Sequence, residues 1–192
     1  MNKKRLLIID NYDSFTYNLY QLAGQVFTGV IDVYKNDEIN LEFIEKQKYC
    51  GIIISPGPKE PKDTALSKEV INNFSKSIPI LGICLGMQCI NEVFGGETLK
   101  AEYPVHGKTT DIIHDGESIF NNIPSPLKVA RYHSLIIKIK SPDLLITART
   151  DKNIIMGIKH KKYPVYGFQF HPESFLTEYG LELIRNFNSV IE

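Results

Sequence analysis

Cys84, His171 and Glu173 are the side chains of this chain whose types and settings suit acyl transfer. Cys84 stands at the centre of Gly82-Ile83-Cys84-Leu85-Gly86-Met87-Gln88, a G-x-C-x-G turn between an apolar run and a helical pattern. Ile78-Pro79-Ile80-Leu81 reads as a short buried strand, and Met87, Ile90, Val93 and Phe94 recur on one helical face before Gly95-Gly96 ends it. The thiol therefore belongs on a strand-to-helix elbow, where flanking glycines relieve crowding and the nucleophile is lifted clear of the sheet. At a helix N-terminus the backbone dipole favours the thiolate, the attacking form. The amide of Leu85 would face the point where an oxyanion develops. A buried structural cysteine is the competing reading, and the paired glycines weigh against it.

A cysteine nucleophile needs a base, and the base needs a group to orient it. Of the five histidines, His171 follows the apolar run Val165 to Phe170 and precedes Pro172 and Glu173. Proline stops ladder pairing there, so the imidazole is expected at the sheet rim with Glu173 close enough to fix its tautomer. H-x-E alone would describe an ordinary strand end. Beside the cysteine elbow, it describes a base and its orienting carboxylate.

The elements that must position these groups alternate in the α/β manner. Arg5 to Ile9, Val30 to Tyr34 and Gly51 to Ile54 read as strands, and Ser14 to Ala23, capped by Asp13 or Ser14, and Leu41 to Lys46 as helices. The loop Ser55 to Thr64 holds three prolines, and a helical face of Val70, Ile71 and Phe74 follows. This order predicts a mostly parallel sheet with helices on both faces. Its strand carboxyl ends would gather Cys84, the Ser55-Pro56-Gly57-Pro58 loop and the Asp10-Asn11-Tyr12-Asp13 loop on one rim. The second half has β-like runs at Lys128 to Ala130, Leu135 to Ile139, Leu144 to Thr147 and Ile154 to Lys159, which predict an antiparallel extension. Leu181, Ile184, Phe187 and Ile191 mark a last helix.

Length and composition bound the rest. The 192 residues suit one domain, 1–192, without repeat or linker. Twenty-two basic and 22 acidic side chains balance, which argues against a nucleic-acid or membrane partner. Three cysteines, Cys50, Cys84 and Cys89, without C-x-x-C spacing disfavour both a disulfide framework and a zinc site. No metal or cofactor is expected. The apolar run Leu6 to Ile9 is too short for a signal segment or a membrane span, so a cytoplasmic location is expected.

Gly82-Ile83-Cys84-Leu85-Gly86-Met87-Gln88 together with Phe168-Gln169-Phe170-His171-Pro172-Glu173-Ser174 resembles the triad-type, class I glutamine amidotransferases over essentially the whole chain. Asp10-Asn11-Tyr12-Asp13-Ser14-Phe15-Thr16-Tyr17-Asn18-Leu19, His106-Gly107-Lys108 and Arg131-Tyr132-His133-Ser134-Leu135 narrow the resemblance to the glutaminase subunits of anthranilate synthase and aminodeoxychorismate synthase. The resemblance implies that Cys84 attacks the carboxamide of L-glutamine, that His171 moves the proton, and that Glu173 orients His171. It further implies oxyanion donors at Leu85 and Gly57, a substrate hydrogen bond from Gln88, and a Ser134-Leu135 backbone holding the amino-acid end. The partner implied is a chorismate-binding synthase subunit. The family's Gly-Pro-Gly loop reads Gly57-Pro58-Lys59 here, and a lysine at positive φ would cost about 1 kcal/mol.

Other candidates read as structural. Cys89 is expected in the core, and Cys50, before the Ile52-Ile53-Ile54 strand, reads as structural; His133 reads equally as an interface residue or a solvated loop histidine; His106, His114 and His160 have no partner spacing; Lys159 to Lys162 reads as a solvated turn. Two rival functions remain at this stage. One is a cysteine hydrolase or peptidase on the same elbow, disfavoured by Gln88 and Ser134-Leu135. The other is an inactive regulatory homologue, disfavoured by the intact Cys84, His171 and Glu173.

Overall fold

The structure, a computed structural model, describes residues 3–191. In chain order the elements are β1 (Arg5–Asp10), α1 (Thr16–Gly24), β2 (Val30–Lys35), α2 (Leu41–Gln47), β3 (Gly51–Ile54), α3 (Ala65–Phe74), β4 (Ile80–Ile83) and α4 (Leu85–Val93). They continue as β5 (Glu97–His114), β6 (Leu127–Lys138), β7 (Leu144–Thr150), β8 (Ile155–His160), β9 (Val165–Phe168) and α5 (Gly180–Ile191). All the strands join one sheet in the order β2-β1-β3-β4-β9-β8-β7-β5-β6. From β2 to β9 the pairs are parallel, and from β9 to β6 they are antiparallel.

The period-two pattern of the central strands divides the core between the two faces. Leu6, Ile8, Ile53 and Leu81 pack with Leu19 and Ala23 of α1 and with Leu183, Ile184 and Phe187 of α5. Leu7, Ile9, Ile52, Ile54 and Ile80 pack with Ile44 of α2, Val70 and Ile71 of α3, and Met87 and Ile90 of α4. Because both faces are covered, β1, β3 and β4 can be apolar at nearly every position. The loops that follow β1, β3, β4 and β9 then share the carboxyl-end rim.

Several boundaries differ from expectation. Helix α1 begins at Thr16 rather than Ser14, and its N-cap Phe15 makes no side-chain cap. Asp10 and Asp13 instead hold the preceding turn: Asp10 Oδ1 accepts from the Asp13 amide and the Thr16 hydroxyl, and Asp13 Oδ2 accepts from the Phe15 amide. The strand before Cys84 lies at Ile80–Ile83, since Pro79 cannot donate to a ladder. The runs around Val129 and Ile137 fuse into the single strand β6. Its partner β5, 18 residues long, was not anticipated; it is mostly exposed on both faces and so lacks the apolar alternation that marks a half-buried strand. β9 stops at Phe168, two residues earlier than the apolar run. Among the described residues no helix is long and apolar enough to cross a membrane.

Candidate active site

The elbow is built by steric exclusion. A Cβ on Gly82 would lie 2.4 Å from the Gly86 carbonyl carbon, and one on Gly86 would lie 2.5 Å from the Ile54 carbonyl oxygen. Only glycine at both positions lets α4 start directly off β4. Cys84 itself has φ 51° and ψ −99°, a conformation that costs a non-glycine residue roughly 1–3 kcal/mol. The surroundings hold it there. The Cys84 amide donates to the Phe168 carbonyl at 2.6 Å, and its carbonyl accepts from Gln88 N–H at 3.1 Å.

His171 and Glu173 arrive from the end of β9. The imidazole Nδ1 lies 2.7 Å from Glu173 Oε1, with both residues buried. Phe15 and Tyr132 each present an edge-on ring to the imidazole, with centroids 6.2 and 5.1 Å away. The backbone around His171 is tied as well: Thr177 Oγ1 donates to its carbonyl at 2.6 Å, and its amide donates to Ala130. Its Nε2 is buried without a hydrogen-bond partner among the described residues, a geometry open to tightening when substrate enters. Burial opposes a charge on this ring, but the neighbouring Cys84 sulfur and the Glu173 carboxylate outweigh it and hold the His171 pKa well above the ordinary imidazole value. A proton leaving the thiol thus has a stable resting place.

Gly57, Cys84, Leu85, Gln88, Ser134 and Leu135 line one cleft of about 360 Å³. Hollows of about 650 and 660 Å³ exist elsewhere on the surface but have neither thiol nor imidazole in their walls, so size does not mark the chemistry here. Gly57 approaches the elbow closely; a Cβ on it would meet Asn11 O at 2.7 Å and Leu85 Cδ2 at 2.8 Å. Leu85 opens α4, where the first amides have no intrahelical acceptor. Gln88 is 2 % exposed and donates to Gln169 Oε1 at 3.4 Å, while Gln169 Nε2 reaches the Cys84 sulfur at 3.5 Å.

Gln169 was missed by sequence reasoning, although its place two residues before His171 was the available signal. Asn11 was also missed. Its amide donates to Ser55 Oγ, its Nδ2 donates to Ser55 O, and its Oδ1 accepts from Asn36 and Ser67, so it joins the loops after β1, β2 and β3 and helix α3. Lys100 and His106 of β5 enter the cleft wall through the unanticipated strand.

Three expectations are corrected. His133 is neither a loop residue nor solvated: it lies within β6 and is 3 % exposed. Among the described residues seven non-glycine residues have positive φ and Lys59 is not one of them, so the feared backbone strain does not arise. Cys89 is buried against Thr64 Oγ1, and burial pushes its thiol up to about 11. Cys50 donates to Arg5 O. His114 stacks on Phe120, and His160 stacks on Tyr163 and accepts from two amides. Lys159 belongs to β8 and pairs with Asp115 and Glu117. Among the described residues no three His, Cys, Asp or Glu side chains are grouped to hold a metal.

The family model described as class-I glutamine amidotransferase matches residues 7–190. The chain is 47% identical over 187 residues to the aminodeoxychorismate/anthranilate synthase component 2 of Bacillus subtilis, covering 95% of this chain and 94% of that one. It is likewise 47% identical to the bifunctional protein TrpGD of Thermotoga maritima over 97% of its own length, but spans only 32% of that longer protein. A crystal structure of a putative GMP synthase component from Thermoplasma acidophilum superposes with a TM-score of 0.87 at 27% identity, covering 100% of this chain and 95% of that one. The cysteine elbow, the buried His171–Glu173 pair and this likeness over nearly its full length place the chain in the class-I glutamine amidotransferases.

Proposed function

We propose that this chain is a glutaminase component that hydrolyses L-glutamine and hands the ammonia to a separate chorismate-using synthase subunit, which forms anthranilate. The observation that carries the reading is the thiol of Cys84 held on its elbow in a cleft that Ser134 and Leu135 also line, together with the buried, hydrogen-bonded His171–Glu173 pair.

Cys84 sulfur attacks the side-chain carbonyl carbon of glutamine while its proton passes to His171. The amides of Leu85 and Gly57 receive the oxyanion. As the tetrahedral intermediate collapses, the C–N bond breaks, His171 gives its proton to the departing nitrogen, and ammonia leaves a γ-glutamyl thioester. Water, deprotonated by His171, attacks that thioester; the C–S bond breaks and glutamate departs. Glu173 holds the imidazole through Nδ1, which leaves Nε2 to take the proton from the sulfur. Gln88 bonds the substrate, and the Ser134-Leu135 backbone holds its amino-acid end.

The chain acts as one domain in the cytoplasm. Ammonia is protonated and lost in bulk water, so the synthase must dock over the cleft. The name of the B. subtilis relative joins anthranilate with aminodeoxychorismate, which supports a second reading in which the same ammonia also serves aminodeoxychorismate formation.

The test is co-purification with the synthase and product identification from chorismate. Cys84→Ser should abolish glutamine-dependent product and leave ammonia-dependent product intact. Loss of both would make Cys84 a structural residue.

A further inference from the structure

One buried pair beside the cleft has no part in the chemistry above. Arg131 and His133 of β6 are 8 % and 3 % exposed, and Arg131 Nε donates to His133 Nε2 at 3.0 Å. With Nε2 accepting, the ring proton resides on Nδ1, which donates to the Leu135 carbonyl at 2.8 Å. A second ring proton would break the bond from Arg131. Burial and the neighbouring guanidinium push the His133 pKa down to about 4. Around neutral pH this histidine is therefore an uncharged peg in a single tautomer.

The peg stands where β6 parts from its neighbour. Lys100 pairs with Leu135 and Val105 with His133, so residues 101–104 of β5 bulge out opposite Ser134 alone. Ser134 thus has no partner in the β5 register, and it is exposed on the cleft wall. Backbone groups freed from a ladder can bond an α-amino group and an α-carboxylate, but a freed strand edge also loses the pairing that fixes its position. Here the position is fixed by the His133 bond to Leu135 O and by Arg131 on His133. Arg131 gains little stability from the arrangement, because its Nη2 is buried without a hydrogen-bond partner among the described residues.

We propose that Arg131 and His133 are positioning residues that set the Ser134-Leu135 edge to receive the amino-acid end of glutamine, and so separate glutamine from simple amides. The proposal rests on the glutaminase reading above. It assigns the pair to substrate selection; proton transfer stays with His171.

Two alkylating reagents test it on the whole chain. The diazoketone analogue of glutamine carries the amino-acid end, whereas iodoacetamide has only the amide. Labelling rates at Cys84 are read by peptide mass spectrometry, with labelling of buried Cys89 reporting any unfolded protein. In His133→Leu the ratio of analogue to iodoacetamide labelling should fall roughly tenfold, the worth of one backbone hydrogen bond. His133→Asn, which retains a donor near the Nδ1 position, should recover most of it. In parallel, KM for glutamine should rise while kcat stays within about threefold, the signature of lost uniform binding. If His133→Leu unfolds, Arg131→Met must lower the same ratio. An unchanged ratio, or equal loss with both reagents, would overturn the proposal and leave the glutaminase reading standing. A wild-type Cys84 that ignored the analogue would overturn both.

Discussion

The amide of Cys84 donates to the carbonyl of Phe168 at 2.6 Å, so the backbone of the proposed nucleophile is tied to the last residue of the strand that delivers His171. The two halves of the proposed catalytic set are joined by main chain before any side chain meets. Side-chain substitutions at Cys84 and His171 should therefore leave the elbow in place, which makes their effects on activity interpretable.

That fixed elbow stores strain. Cys84→Gly and Cys84→Ala both remove the thiol, but glycine accepts a φ of 51° and alanine does not. The glycine variant should be the more stable of the two by about 1 kcal/mol, read from urea midpoints, and both should be inactive. Equal midpoints would mean that the conformation is cheap.

Gly86→Ala tests the packing on the other side. Its Cβ would meet the Ile54 carbonyl at 2.5 Å, a backbone atom that cannot rotate away. We expect a loss of about 2–3 kcal/mol in unfolding free energy and a marked drop in Cys84 labelling by the glutamine analogue. A stable variant with full labelling would show that α4 can slide.

How much of this was legible in the sequence follows from where burial leaves a pattern. The strands β1, β3 and β4 are buried on both faces, so Leu6 to Ile9, Ile52 to Ile54 and Ile80 to Leu81 stand out as apolar runs. The elbow was legible for a different reason: glycine spacing around Cys84 records a steric requirement. Strand β5 left no such trace, because residues such as Glu102, Tyr103 and Lys108 face solvent. With β5 unseen, the bulge opposite Ser134 was unseen too, and His133 looked like a loop residue. Its burial depends on a pairing between β5 and β6 that no local pattern announces.

The carboxylate of Glu173 makes a specific claim about His171. Removing its charge in Glu173→Gln should lower the His171 titration midpoint, since the Glu173 hydrogen bond and charge are among the influences that raise it. Imidazole NMR across the titration is the measurement. A midpoint unmoved by the substitution would deny Glu173 its orienting part, whatever happened to activity.

His133 provides the opposite sign. Its folded-state pKa, about 4, lies below the ordinary imidazole value, so its contribution to stability is complete above pH 6.5 or so and drains away as the pH falls toward 4. Each pH unit in that window costs about 1.4 kcal/mol for the one proton taken up on unfolding. Carboxylates also titrate there, which is why the comparison must be with His133→Asn, a variant that keeps a donor and has nothing to protonate. Unfolding free energies measured at several pH values should converge for the two proteins as the medium becomes acid, with wild type losing more. Parallel curves would mean that His133 is already charged in the fold, and a charged ring could not accept the hydrogen bond from Arg131.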